Sequence, residues 1–389
     1  MRFASRTKQL KAEGAYQVLA RAQALEASGR DIIHLEIGQP DFDTFDNIRL
    51  AGMQAIAEGY TRYTPPSGMA TLREVIAADA SYRHGSDIQP SQVVVSPGAK
   101  PNLFFPVLAL VEPGDEVIYP DPGFPTYEAM IRAAGGKPIS VPLVEENNFS
   151  FNMDEFHQRV SSHTRLVILN SPGNPTGGVM PMADLKEIAK AAQKHDFWVM
   201  SDEIYTRLVY DGLKAPSIAS LPGMMERSII VDGFSKTYAM TGWRLGYGIM
   251  PESLAQVVDL LLTHSVGCTA QFTQIAGIAA LKGPQDKAEA MVREYQARRD
   301  AIVTGLNTIP GITCRNPQGA FYAFPNIKSL GVSSDKLADV LLETAGVAVL
   351  PGSAFGQYGE GYLRVSYANS LDNLRKAIDR IGEAIAQIT

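Results

Sequence analysis

The chain has only two cysteines in 389 residues, Cys268 and Cys314, and their separation does not match a zinc site or a redox motif. We therefore expect neither a structural disulfide nor a metal site. The chain also lacks an excess of positive charge: 41 acidic residues outnumber 35 basic ones, which gives a net charge of -6. A phosphate-backbone binder needs a basic surface, so we expect no nucleic-acid partner.

Long hydrophobic runs are absent too. No run approaches the ~20 apolar residues of a membrane helix, and no apolar stretch follows the basic residues near Met1. We expect a cytoplasmic protein without membrane contacts. The sequence also lacks the motifs G-x-x-x-x-G-K-[ST], H-E-x-x-H, G-x-S-x-G and a G-x-G-x-x-G after a strand, which argues against the common nucleotide-binding and hydrolytic sites.

What is present is a hydrophobic content of 45%, ample for a well-buried core. Short apolar runs recur between residues 90 and 250, each followed by a polar turn and a longer segment with helical spacing. The predicted strands are Val93–Ser96, Glu116–Tyr119, Pro138–Pro142, Leu166–Asn170, Trp198–Ser201, Ser228–Asp232 and Leu245–Ile249. Being apolar on both faces, they favour an α/β fold with a mostly parallel sheet covered by helices.

The last hundred residues change character and predict a smaller α+β domain that ends in a helix from Leu371 to Ile388. The first helix, from about Tyr16 to Ser28, is expected to join this domain. We therefore predict a large domain of residues 45–285 and a small domain made of residues 1–44 and 286–389. Ligands of such sheets bind beyond the carboxyl ends of the strands, where the two domains would enclose a cleft.

A segment from Asp232 to Tyr247 follows a predicted strand and places two cations, Lys236 and Arg244, among mainly apolar residues. A lysine that is desolvated beside another cation has a lowered pKa and can act as an amine nucleophile toward an aldehyde. The guanidinium of Arg244 and the hydroxyl of Ser235 suit a phosphate group. A solvated lysine on a surface loop is the simpler alternative.

This segment resembles the class I/II aminotransferases, in particular bacterial aspartate aminotransferases. The same holds for three further motifs: Ser201-Asp-Glu-Ile-Tyr205, Asn170-Ser-Pro-Gly-Asn-Pro-Thr-Gly177 and Leu363-Arg-Val-Ser-Tyr-Ala368. The resemblance runs from Gly38 to Arg364, with the motifs in the family's order. Two positions depart from it: Gly233, where many members have a phosphate-binding serine, and Phe124, where some have tryptophan.

The resemblance implies a fold type I PLP-transferase that uses pyridoxal 5'-phosphate to move an amino group between an L-amino acid and a 2-oxo acid by a ping-pong mechanism. Lys236 would carry the cofactor as a Schiff base, and Asp202 would keep its ring nitrogen protonated, as an electron sink requires. Asn174 and Tyr205 would donate to the ring oxygen, and Phe124 would stack on the ring. The phosphate would be bound by Gly98, Ala99, Lys100, Ser235, Arg244 and Tyr63.

Arg364 lies in a β-like run, where a permanent charge is unfavourable unless it is paired. The resemblance assigns it the substrate α-carboxylate, with Asn174 and the backbone of Gly38 nearby. Lys100 matches a position that reads the distal carboxylate in one subgroup of aspartate aminotransferases, so an acidic substrate is our first expectation, although the next residue departs from that subgroup's usual glutamine. Tyr63 resembles a tyrosine that reaches the neighbouring subunit's phosphate, which implies a homodimer with shared active sites.

Simpler structural roles stay open for several of these residues. Asp202 could cap a helix, Asn174 could form a turn, Tyr205 and Phe124 could fill the core, and Arg364 could form an internal salt bridge. Another reaction of the same cofactor, such as that of a β-lyase or an aminocyclopropane-carboxylate synthase, also stays open. So does a non-catalytic, aminotransferase-like binding module.

Overall fold

The structure is a computed structural model that describes residues 3–4, 7–8, 10 and 14–387. Its strands are β1 Ile33–His34, β2 Val93–Ser96, β3 Glu116–Asp121, β4 Lys137–Val144, β5 Ser150–Phe151, β6 Thr164–Asn170, β7 Trp198–Asp202, β8 Ser228–Gly233, β9 Gly246–Ile249, β10 Tyr322–Ala323, β11 Val347–Ala348, β12 Leu350–Pro351 and β13 Leu363–Ser366. Its α-helices are α1 Gly14–Ala27, α2 Asp46–Ala57, α3 Ala70–His84, α4 Lys100–Leu110, α5 Thr126–Ala134, α6 Met153–Arg159, α7 Met182–His195, α8 Glu252–Thr263, α9 Gln271–Lys282, α10 Asp286–Leu306, α11 Ser334–Val340 and α12 Leu371–Ala386.

An eight-stranded sheet forms the centre of the molecule, in the order β2-β9-β8-β7-β6-β3-β4-β5. The strands from β8 to β4 are parallel to one another, whereas β9 and β5 run antiparallel to their neighbours. Every run predicted as a strand forms one, with ends that differ by at most two residues. The α/β fold with a mostly parallel sheet is therefore confirmed.

Helices cover both faces of this sheet because most strands alternate between two apolar layers. On one face, α4, α5 and α8 pack against residues that include Val94 and Val231. On the other, α6 and α7 pack against residues that include Val167 and Val199. Strand β4 is only partly buried, since its outer neighbour is the two-residue strand β5.

Two small sheets lie elsewhere in the chain: β1 pairs with β11, and β13 lies between β10 and β12. All of their strands fall outside residues 45–285. The predicted first helix is found as α1, and the predicted last helix as α12; Ile388, its expected end, lies outside the described residues. The division into two domains stays a prediction.

Both cysteines are free. Among the residues that the structure describes, no helix combines the length and the apolar character needed to cross a membrane.

Candidate active site

The parallel strands β6, β7 and β8 end at the same edge of the sheet, and a cavity of about 1240 Å³ opens there. It contains the ends of β6 and β7, the loop after β8 and the first turn of α4. Of the thirteen residues predicted to bind cofactor or substrate, eleven line it: Gly38, Ala99, Lys100, Phe124, Asn174, Asp202, Tyr205, Ser235, Lys236, Arg244 and Arg364. Distant parts of the chain therefore meet at one site.

Lys236 lies in the loop that follows β8 and extends its amine into this cavity. The amine donates a hydrogen bond to the backbone carbonyl of Gly38 at 2.5 Å and lies 6.0 and 5.7 Å from the ring centres of Tyr205 and Phe321. Burial lowers the pKa of this lysine to about 7, and nearby cations, led by Arg364, act in the same direction. A large fraction of the amine is therefore uncharged near neutral pH.

Asp202 ends β7, and its carboxylate is almost fully buried, with 5% of the residue exposed. The Tyr127 hydroxyl donates to Oδ2 at 2.7 Å, and the backbone N–H of Ile204 donates to Oδ1 at 3.3 Å. Burial nevertheless raises the pKa of Asp202 to about 6, because these hydrogen bonds only partly replace water. A cation in the cavity beside this carboxylate would favour its charged form.

Two hydrogen-bonding side chains lie beside Asp202. The hydroxyl of Tyr205 is 2.8 Å from the hydroxyl of Tyr322, and burial raises the pKa of Tyr205 well above its usual value, so the group keeps its proton. Asn174 is held by a bond from its backbone N–H to Oδ1 of Asn170 at 2.8 Å. Tyr205 can therefore act as a donor throughout the physiological pH range.

The turn between β2 and α4 presents backbone N–H groups at a helix N-terminus, the usual setting for an anion. The Ser96 hydroxyl donates to the carbonyl of Gly98 at 2.6 Å, and the Asn102 amide donates to the Ser96 hydroxyl at 2.7 Å. Gly98 has a φ of +80°, a conformation that L side chains rarely adopt. The turn thus depends on both a glycine and a buried hydrogen-bond chain.

Arg244 borders the same turn, with one guanidinium nitrogen donating to the carbonyl of Thr241 at 2.8 Å. A Cβ added to Gly98 would overlap this guanidinium, so the two residues are in close proximity. Although its neighbours along the chain are mainly apolar, Arg244 is exposed at the rim of the cavity. An exposed guanidinium still reaches an anion bound at the turn, with less desolvation than a buried one.

Arg364, in β13, is 4% exposed and is held from several sides. One guanidinium nitrogen donates to Oδ1 of Asn174 at 3.0 Å, and the other donates to the backbone carbonyl of Glu36. The guanidinium carbon lies 4.5 Å from the ring centre of Tyr322 and 5.0 Å from that of Phe355. These contacts orient a buried cation toward the cavity.

Lys100 and Phe124 form another part of the wall, with the lysine Nζ 5.1 Å from the centre of the phenylalanine ring. Phe124 also packs edge-to-face on Tyr127, at 5.7 Å between ring centres. Tyr63, in contrast, is 98% exposed and does not line the cavity of its own chain. Gly98 does not line the cavity either, but its positive φ allows the backbone of the turn to adopt its conformation.

Two residues of this site, Tyr127 and Tyr322, were not identified from the sequence, and Phe355 was expected near the substrate but could not be placed. Tyr127 follows the Pro-Gly-Phe-Pro segment by two positions. A hydroxyl so close to this motif could have been predicted as a candidate site residue. Tyr322 stands opposite Ser366 in the pairing of β10 with β13, so its proximity to Arg364 depends on strand register. Phe355 ends the short 3-10 helix Gly352–Phe355, and nothing in its local sequence indicates the contact with Arg364.

Comparisons with known proteins agree with this geometry. A family model described as "Aminotransferase class I and II" matches residues 30–381. The aspartate aminotransferase of Pyrococcus horikoshii is 41% identical over 372 residues, covering 95% of this chain and 93% of that protein. The aromatic-amino-acid aminotransferase 2 of Thermococcus litoralis is 41% identical over 369 residues and 94% of each chain. The crystal structure of the aspartate aminotransferase from Rhizobium meliloti matches with a TM-score of 0.95 and 34% identity over 99% of both chains.

The turn at Gly98 generates a prediction about its neighbour in β9. A Cβ on Gly246 would overlap backbone atoms of Gly98 and Ala99, which cannot rotate away as a side chain could. We expect Gly246→Ala to displace the turn and to raise the dissociation constant of pyridoxal phosphate by about tenfold, since overpacking costs about 1–3 kcal/mol. Equilibrium dialysis of the apoprotein with the cofactor measures this constant.

Gly382→Ala is the matched control, because a Cβ there would meet only the Ile309 side chain, at an ordinary 3.7 Å. Its cofactor affinity should equal that of the wild type. Equal affinities for Gly246→Ala and the wild type would show that the turn does not bind the cofactor.

Proposed function

The chain belongs to the class I and II aminotransferase family and is a pyridoxal-phosphate-dependent aminotransferase, and from this premise we propose that the cavity at the strand ends binds the cofactor and both substrates. The observation that carries the proposal is the partly buried Lys236, whose amine has a pKa of about 7, in one cavity with the buried carboxylate of Asp202 and the guanidinium of Arg364. Its substrates are amino acids and 2-oxo acids.

The residues of the cavity fit pyridoxal phosphate in their chemistry. The turn at Gly98 and the N-terminus of α4 supply N–H groups for a phosphate, with Ser235 and Arg244 beside them. Asp202 is a buried carboxylate whose pKa of about 6 would fall on contact with a protonated ring nitrogen. Asn174 and Tyr205 would donate to the ring oxygen, and Phe124 would pack on the ring face.

When bound, pyridoxal phosphate supplies an electron sink for the bonds at the amino acid's Cα. Arg364 binds the α-carboxylate, because a planar guanidinium can donate two parallel hydrogen bonds to it. The uncharged amine of Lys236 would take the proton from the substrate's Cα as a general base and would donate it again as a general acid. Because the amino acid and the 2-oxo acid use the same site in turn, ping-pong kinetics are expected.

Covalent attachment of the cofactor tests the titration of Lys236. The rate at which pyridoxal phosphate becomes covalently attached to the apoprotein should rise with pH and reach half its maximum near pH 7, because only the uncharged amine attacks an aldehyde. Borohydride reduction followed by mass spectrometry at each pH measures the attached fraction. Lys236→Ala should bind the cofactor without attachment and lose about 10²–10⁴-fold or more in turnover.

Lys282→Ala, a change at an exposed lysine at the end of α9, is the control and should behave as the wild type. Attachment at another lysine would disprove the assignment of Lys236. Attachment with a midpoint near pH 10 would show instead that this amine is not desolvated.

We further propose that the amino donor is acidic, with aspartate as the first candidate. Lys100 lines the same cavity as Arg364, so two cations border the space that a dicarboxylate would occupy. Relatives of similar identity carry aspartate or aromatic specificity in their names, so sequence identity alone does not decide between the two.

Substitution of Lys100 tests this substrate assignment. In Lys100→Met, the half-reaction with L-aspartate should slow by about tenfold or more, while that with L-phenylalanine should change little, because only aspartate has a distal carboxylate. Stopped-flow absorbance of the bound cofactor measures both rates. Equal slowing of both would contradict the assignment, and a cofactor spectrum unchanged by every amino acid would favour a lyase reaction.

A homodimer with shared sites is the next part of the proposal. The exposed side of α2 carries Leu50, Met53 and Ile56, each more than half exposed. Apolar side chains grouped in this way mark interaction surfaces. Tyr63 follows α2 and is almost fully exposed, which supports its role in the partner's site rather than in its own.

Mixed dimers test this role of Tyr63. Lys236→Ala and Tyr63→Ala chains should each be weakly active alone, and refolding them together should restore about a quarter of the wild-type sites, by random pairing. In a hybrid, the chain that keeps Lys236 receives an intact tyrosine from its partner. If Tyr63 served its own chain, no hybrid site would be complete and activity would not return. Turnover of an equimolar mixture is the measurement.

The proposal extends to the two domains. Both small sheets consist of strands outside residues 45–285, and Tyr16 and Leu19 of α1 line the cavity together with ends of the large sheet. This supports a small domain of residues 1–44 and 286–389 that closes one side of the site. The cytoplasmic location expected from the sequence stays a prediction.

A further inference from the structure

Tyr322 in β10 is a fully buried residue that contacts two parts of the site: Tyr205, on the proposed cofactor side, and Arg364, on the proposed carboxylate side. Only 1% of it is exposed, yet it lines the cavity. Its hydroxyl is 2.8 Å from the hydroxyl of Tyr205, and its ring centre is 4.5 Å from the guanidinium carbon of Arg364. A Cβ added to Gly38 would overlap the Tyr322 hydroxyl, so this hydroxyl also lies directly against the backbone that accepts from Lys236.

We propose that Tyr322 is a positioning residue that couples the two halves of the active site: its ring orients Arg364 for the substrate carboxylate, and its hydroxyl orients Tyr205 toward the cofactor. This inference rests on the proposed function, because it takes the roles of Arg364 and Tyr205 from there. It adds a residue that acts through both of them.

The ring half of the proposal depends on how Arg364 is held. The guanidinium lies near two aromatic rings, those of Tyr322 and Phe355, and a cation near a ring face is attracted by the ring's quadrupole. Two-point binding of a carboxylate requires the plane of the guanidinium to be fixed. Removal of the Tyr322 ring leaves a space into which the guanidinium can rotate, so substrate binding should weaken.

The hydroxyl half depends on the direction of the hydrogen bond. In the proposed arrangement, the Tyr322 hydroxyl donates to the oxygen of Tyr205, which leaves the proton of Tyr205 for the cofactor's ring oxygen. Hydrogen bonds in such a chain polarise one another, so a Tyr205 hydroxyl that accepts a bond is a stronger donor. Without the Tyr322 hydroxyl, the ring oxygen is less well stabilised as an anion and should hold its shared proton to higher pH.

Two substitutions at one position separate these effects. Tyr322→Phe keeps the ring and should raise the pH midpoint of the bound cofactor's absorbance change by about one unit, with a KM within about threefold of wild type. Tyr322→Leu removes both groups and should raise the midpoint and also raise the KM of the best amino donor by about tenfold. Spectrophotometric pH titration of the holoenzyme gives the midpoint, and steady-state kinetics give KM and kcat separately.

Two further variants serve as controls. Phe355→Leu removes the other ring near Arg364 and should raise KM without moving the midpoint. Tyr367→Phe removes a buried hydroxyl that lies 3.3 Å from the hydroxyl of Tyr210, outside the cavity, and should change neither quantity. A midpoint shift in Tyr367→Phe equal to that in Tyr322→Phe would overturn the proposal, because any buried hydroxyl would then have the same effect.

An unchanged midpoint in Tyr322→Phe also overturns the proposal, even if KM rises in Tyr322→Leu, since Tyr322 would then serve the carboxylate site alone. Because Tyr322→Phe preserves volume and packing, this result does not depend on whether the leucine variant folds. Wild-type holoenzyme that shows no cofactor absorbance or no transamination would count against the proposed function instead, so the two failures are distinguishable.

Discussion

Desolvation of the Lys236 amine is the constraint on which the rest of the site depends. An isolated ammonium group in a protein interior is unfavourable, and the cations around this one, Arg364, Arg244 and Lys100, make the charged form less stable still. The pKa of the amine is lowered to about 7, so a substantial fraction is uncharged near neutral pH, and the amine donates a hydrogen bond to the carbonyl of Gly38. The nucleophile and the proton carrier of the proposed reaction follow from that single environment.

The large sheet and the small sheet contribute different chemistry to the cavity. Parallel strands bring Asp202 and the Lys236 loop to one edge, and the turn before α4 adds N–H groups for an anion. Arg364 and Tyr322 come from paired strands of the small sheet. Direct hydrogen bonds join these parts within one chain, among them those of Lys236 to Gly38, Arg364 to Asn174 and Tyr322 to Tyr205. One hydrophobic cluster, which includes Tyr205 and Phe234 as well as Tyr322 and Val365, also packs the two parts together.

The degree of burial also determines the protonation state of each ionisable group in the site. Asp202 and Tyr205 are both almost fully buried, yet one is a carboxylate whose pKa of about 6 would fall beside a cation, and the other is a phenol that keeps its proton. Arg244, in contrast, is exposed at the rim, where an anion can be bound without full desolvation of the cation. Environment, rather than residue type, determines which group is an acid, a base or a fixed charge.

Much of this organisation could be predicted from the sequence because it is local. Apolar runs of strand length indicated each parallel strand within two residues, and the motif around Lys236 predicted its chemistry and its relation to Asp202 and Arg364. The exposure of Arg244 could not be predicted, since its neighbours along the chain are apolar while its neighbours in space include solvent.

By itself, the sequence determined the fold class and the family and predicted Lys236 as the reactive lysine, because hydrophobic periodicity and contiguous motifs are local features of the chain. Only the tertiary structure decided that Tyr127 bonds to Asp202, that Tyr322 lies between Tyr205 and Arg364, and that Phe355 packs on the same guanidinium. Those contacts join residues far apart in the sequence, and they depend on strand register and loop packing, which no local pattern specifies.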